Sequence, residues 1–144
     1  MGAPVRFFED ETELDGKLTW MAILLVATGG ALGALARFGL AHWASERLGD
    51  GFPSGTLVVN VIGCLIIGVL MAFSLGRAGF PERTRLFLAV GFLGSLTTFS
   101  TLGYETIALV EARAYARALL SVGANLVLGL GAVATGLFIG NRWP

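Results

Sequence analysis

Residues 91–106 read GFLGSLTTFSTLGYET. They continue one apolar run, RLFLAVGF, and lead into another, IALVEA. Ser95, Thr97, Thr98, Ser100 and Thr101 crowd into a short stretch beside Gly91 and Gly94. A lone serine or threonine in a membrane helix bonds the carbonyl of the preceding turn and changes little. A cluster of them next to helix-weakening glycines predicts a helix break. Backbone released from its ladder is tolerated at membrane depth only when buried in protein or lining an aqueous cavity. Freed carbonyls are hard oxygen donors that suit a small hard cation. Phe99, inside the break, has a positive ring edge to offer an anion.

The rest of the chain places this stretch in a membrane. Of 144 residues, 55% are hydrophobic and 14% are charged, and the mean hydropathy is +0.76. A soluble domain carries about 25% charge. Windows 20–36, 51–76, 86–104 and 118–141 contain no Asp, Glu, Lys or Arg. A bilayer-spanning helix needs about 20 mostly apolar residues. The second and fourth windows suffice alone. The first does if it runs through Arg37, and the third if it runs past Glu105. The reading is an all-α membrane protein with helices over about 19–44, 54–76, 84–110 and 114–141. Pro53 and Pro81 suit the starts of the second and third helices.

Charge is unevenly placed. The leader MGAPVRFFEDETELDGK holds Glu9, Asp10, Glu11, Glu13 and Asp15 against Arg6 and Lys17. It is acidic where a secretory leader is basic, and residues 1–17 read as a disordered or surface-lying tail ahead of a domain over 18–144. The remainder is mildly basic. An even number of spans puts both termini on one side. That side holds Arg6, Lys17, Arg77, Arg83, Arg85 and Arg142, against Arg47, Arg113 and Arg117 on the other, a modest bias of the termini to the cytoplasm. Cys64 reads as a small buried hydrophobe. His42, beside Trp43, reads as an interface residue, with no thiolate or carboxylate cluster around it. No nucleophile–base set accompanies these residues, which argues against an enzyme.

Further polar groups need partners. Arg37, in GGALGALARFGLAHW, either snorkels or forms an electropositive vestibule for an anion. Thr56, Asn60 and Gly63 or Cys64 share a helical face. Asn60 reads either as a helix–helix hydrogen bond or as an amide donor to an anion. Ser121, Asn125, Gly129, Ala132, Gly136 and Gly140 form a polar-then-small stripe, which suggests a narrow path more than close packing alone. Glu105 is a functional candidate by its depth, or a partner of Arg37. The Gly29–Gly33 and Gly136–Gly140 pairs fit close helix packing.

The segments GGALGALARF, GTLVVNVIGC, GFLGSLTTFST with Glu105, and SVGANLVLG stand in the order and spacing of the Fluc (CrcB-type) family of bacterial fluoride ion channels. The chain resembles that family over residues 22–141. The resemblance implies a four-helix subunit with a broken third helix, assembled as an antiparallel dual-topology dimer. It implies two fluoride pathways and a structural sodium ion at the dimer centre. By position, Gly94 and Thr97 would give backbone carbonyls to sodium. Asn60, Phe99, Ser100, Thr101, Ser121, Asn125 and Thr56 would line the fluoride pathway, with Arg37 and Glu105 serving vestibule and charge. The implied function is passive export of fluoride across the cell membrane, among lipids, by a homodimer. One position departs: the family reads TTFSTF, and Leu102 stands where the second phenylalanine is expected. That leaves a heterodimer with a related subunit open. A proton-coupled small-ion exporter is a further alternative, weakened by the lack of an acid in the first helix.

Overall fold

A computed structural model describes residues 20–49, 51–76 and 81–142. The acidic leader and Arg77 lie outside the described residues, as do the side chains of residues 74–76. The fold is all helical: α1 (Trp20–Leu48), α2 (Ser54–Gly76), α3 (Glu82–Arg85), a π-helical segment π1 (Leu86–Leu93), α4 (Gly94–Leu96), α5 (Phe99–Glu111) and α6 (Tyr115–Arg142). Four spans are long and apolar enough to cross a membrane: Trp20–Leu48, Ser54–Phe73, Glu82–Glu111 and Tyr115–Arg142. Phe38, Leu119, Val127 and Leu130 stand exposed along them. Apolar side chains in that number turned outward need lipid or another chain to cover them.

The ends follow local chemistry. Gly49 ends α1 with φ +82, its N–H on the Ser45 carbonyl at 2.9 Å, the left-handed cap that glycine adopts without steric cost. Pro81 accepts from the N–H groups of Thr84 and Arg85 at 2.8 and 3.1 Å and so starts α3. Between α5 and α6, the Ala114 N–H reaches back to the Leu109 carbonyl at 2.8 Å, with Arg113 in the left-handed region at φ 57.

Two glycine seams bring backbones together. A methyl built on Gly29 or Gly33 would overlap the carbonyl of Phe87 or Phe92, respectively, so α1 lies directly on π1. Gly91 answers from the other side, 3.1 Å from Gly29 Cα measured from an ideal Cβ position. On the other seam, Gly68 of α2 and Gly136 of α6 each leave room for the other's backbone. Gly140 faces Ala72 and Val69. In lipid, where burial gives no drive between apolar helices, such close approach is what holds them.

The third span changes partners part-way. π1 and α4 pack on α1, whereas α5 packs on α6, and α2 lies between α1 and α6. Thr97 (φ −80, ψ 155) and Thr98 (φ −149, ψ 116) are extended between the two halves. Ahead of that pair, Leu86–Leu93 winds as π-helix, a widened ladder frequent at functional sites.

Candidate functional site

The extended pair Thr97–Thr98 has lost its helical neighbours, and side chains replace them. The Thr98 N–H donates to Asn60 Oδ1 at 2.8 Å, and Asn60 Nδ2 donates to the Thr98 carbonyl at 3.2 Å. One amide side chain thus satisfies both backbone groups of Thr98. Its second N–H goes to Asn125 Oδ1 at 2.9 Å. Asn125 Nδ2 in turn donates to the Ser121 carbonyl at 2.9 Å. The network joins α2, the break and α6.

Thr98 also caps α5. Its Oγ1 accepts from the Thr101 N–H at 3.2 Å, the bond of a helix N-cap. The same hydroxyl lies 2.9 Å from Thr101 Oγ1 and 3.3 Å from Ser100 Oγ. On the other side, both the N–H and the Oγ1 of Thr97 donate to the Leu93 carbonyl at 3.1 Å. Its methyl occupies the space that a side chain at Gly63 would take.

These bonds release two carbonyls. In a continuous α-helix the Thr98 N–H would close on Gly94, and the Thr101 N–H on Thr97. Both donors are spent elsewhere, on Asn60 and on Thr98 Oγ1. Gly94 and Thr97 therefore present oxygens without those helical donors, beside one cavity.

That cavity, of about 390 Å³, is lined by Asn60, Cys64, Gly94, Thr97, Thr98, Phe99, Leu102 and Asn125 together with apolar side chains. Phe99 is 83% exposed, and Leu102, one turn on, is 7% exposed. So the ring stands free while the leucine is part of the packed wall.

The expected site residues separate into groups. Asn60, Phe99, Asn125, Gly94 and Thr97 share the cavity. Ser100 and Thr101 join through the Thr98 hydroxyl. Thr56 is buried one turn before Asn60, and Ser121 is fully buried with its Oγ unpartnered. Glu105 lines a second chamber of about 350 Å³ with Ser45, Tyr104 and Arg117. Its Oε2 is buried with no hydrogen-bond partner. The alternative in which it pairs with Arg37 is not realised among the described residues; His42 Nε2 lies 3.3 Å from Glu46 Oε1, one turn away on α1.

At two places the geometry favours one of the readings the sequence leaves open. The small half of the α6 stripe is a packing surface: Gly136 and Gly140 are filled by α2 backbone and Ala72, and Gly129 faces Cys64 Sγ. The physical reason is that glycine on glycine allows contact that leaves no lumen. Asn60, weighed as an anion donor, has both N–H groups on protein acceptors, so it holds the break as a brace. Thr98, one hydroxyl among several in the sequence, is the hub of these bonds. Its signal was present, a threonine three residues before another at the start of a periodic run.

The model of the family described as CrcB-like protein, Camphor Resistance (CrcB), matches residues 24–137. The chain belongs to the CrcB-like family. This CrcB-like chain is 45% identical over 118 residues to the fluoride-specific ion channel FluC 2 of Symbiobacterium thermophilum, covering 82% of this chain and 96% of that protein. It is 51% identical over 107 residues to the fluoride-specific ion channel FluC of Thermus thermophilus, covering 74% and 84%. A FluC of Acidobacterium capsulatum is 43% identical over 122 residues, covering 85% and 98%. With the four apolar spans, this makes the CrcB-like chain a multi-pass integral protein of the cell membrane.

Proposed function

We propose that the chain is a fluoride-selective ion channel that lets fluoride leave the cytoplasm passively and so lowers its toxicity. The relatives' name supplies the ion. The observation that carries the reading is the braced break: extended backbone at Thr97–Thr98, held by Asn60 and opening on a cavity under the exposed Phe99 ring. Inert packing gives no reason to open a helix there.

Two protomers in antiparallel orientation assemble on the face that carries Phe99 and Gly94, both exposed in the single chain. The released carbonyls of Gly94 and Thr97 fit a structural sodium ion there, since neutral hard oxygens are what that ion takes. When bound there, the ion would be held by the negative ends of the Gly94 and Thr97 carbonyl dipoles and would supply fixed positive charge at the contact between protomers. Fluoride holds its water tightly, so the pathway must supply donors in exchange. The Ser100 and Thr101 hydroxyls, the second N–H of Asn125, the unpartnered Ser121 hydroxyl and the Phe99 ring edge supply them, with buried Thr56 alongside. Arg37 raises anion concentration at the mouth, and Glu105 sits beyond the break.

The test is efflux from liposomes holding this purified chain alone, read with a fluoride electrode against chloride as control. Fast fluoride and no chloride loss supports a self-sufficient channel. A second reading is favoured by Leu102, which lacks a ring quadrupole where the TTFSTF pattern of the resembled family has one: the chain is half of a heterodimer. Folded protein with no efflux, restored by a related subunit, would select that reading.

A further inference from the structure

The second chamber has chemistry the cavity under Phe99 lacks. It is an open groove bordered by the end of α1 at Ser45, the 51–53 loop, α5 at Tyr104 and Glu105, and the start of α6 at Arg117. Arg117 Nη1 donates to the Gly51 carbonyl at 2.8 Å. A guanidinium carries five N–H donors, so one bond to the loop leaves most of its donor capacity for the chamber. Glu105 lines the same groove, and its Oε2 is buried without a partner, a costly state for a carboxylate oxygen. Carboxylate and guanidinium thus line one groove without bonding to each other, which leaves both to a small ligand there.

The chamber also lies in line with the polar face of α6. Arg117, Ser121 and Asn125 recur at four-residue spacing and so share one helical face, about 6 Å apart along the axis. Ser121 brings a fully buried, unpartnered hydroxyl. Asn125 reaches the braced break. The face therefore runs from the guanidinium, through the orphan hydroxyl, to the cavity under Phe99.

We infer that Arg117 is an anion-recruiting residue: it draws a small monovalent anion into the chamber at the outer end of this face and offsets the charge of Glu105 that would otherwise repel it. The inference rests on the channel reading and adds a site to it. Arg117 acts on entry, so it sets the flux at low fluoride and leaves the flux at saturating fluoride nearly unchanged. Because it acts by charge near solvent, its effect weakens as ionic strength shortens the Debye length, from about 10 Å at 0.1 M to about 3 Å at 1 M.

The experiment is sodium fluoride flux into liposomes over a range of fluoride concentrations, at low and high sodium gluconate, for the wild type, Arg117→Gln and Arg117→Lys. Expected is a several-fold loss of low-fluoride flux in Arg117→Gln, within twofold of wild type at saturation, and shrinking at high gluconate. Arg117→Lys keeps most of the low-fluoride flux. Equal loss in both variants at all concentrations would show that the tie to Gly51 matters and the charge does not, overturning the inference. Wild-type flux at low fluoride that ignores ionic strength would overturn it without any variant. A wild type that carries no fluoride would sink the channel reading and the inference together; a wild type that does, with Arg117→Gln unaltered, sinks the inference alone.

Discussion

Asn60 meets the N–H and the C=O of one residue, Thr98, at 2.8 and 3.2 Å, the pairing that a neighbouring strand would give. Asn60→Leu strips both groups and Asn125 Oδ1 of their partner at once. A buried polar group left unmet costs about 1–3 kcal/mol. We expect at least tenfold slower fluoride efflux and a lower melting temperature in detergent; wild-type values in both assays would reject the brace. Asn60→Asp keeps the acceptor for the Thr98 N–H but loses both donors, and should fall between. At Leu102 two effects compete. Enlarging a residue that is 7% exposed risks overpacking at about 1–3 kcal/mol. Yet the residue borders a cavity of about 390 Å³ that can take a ring. Leu102→Phe is expected to keep or raise fluoride efflux, and loss of efflux would mean this wall is built differently. At this scale the sequence showed which residues are polar at depth, but not which bonds they make. Asn60 has the same spacing whether its amide faces an ion or a backbone, and only the turn-by-turn path of residues 93–98 decides.

Elements were more legible than contacts. Runs free of charge mark the spans, because composition alone sets whether a segment can sit in lipid; the hydroxyl cluster contains the extended pair Thr97–Thr98. The π-winding of Leu86–Leu93 was not legible. LFLAVGFL is apolar throughout, so no polar side chain betrays the shift from i→i+4 to i→i+5 hydrogen bonds. The seam it makes is testable. Gly33→Ala puts a methyl onto the Phe92 carbonyl, whereas Gly39 on the same helix has open space around it. Relative to Gly39→Ala, we expect Gly33→Ala to lower the detergent melting temperature by several degrees and reduce the yield of folded protein. Equal melting of the two would show that α1 and π1 are less closely fitted than described. Gly136→Ala against Gly131→Ala makes the same comparison on the α2–α6 seam.

For the assembled molecule, the released Gly94 and Thr97 carbonyls lead to an ion-dependence test. Exchange of sodium for N-methylglucamine during purification should abolish fluoride efflux, and returning sodium should restore it. Efflux that persists unchanged would leave those carbonyls to another role. The antiparallel dimer comes from the family resemblance and not from the residue pattern, because an apolar face looks alike to lipid and to a second copy. One feature does bear on how the chain is made. The third span leans on α1 with its first half and on α6 with its second, and α6 leaves the ribosome after the whole of that span. A nascent chain that has reached residue 111 can already close the Gly29–Gly33 seam, but α5 and Asn60 still wait for Asn125. Insertion thus passes through a stage with the first seam shut and the ion pathway unbuilt. A chain stopped at Glu111 should reach the membrane and then be cleared by proteolysis, a fate that pulse-chase labelling would time.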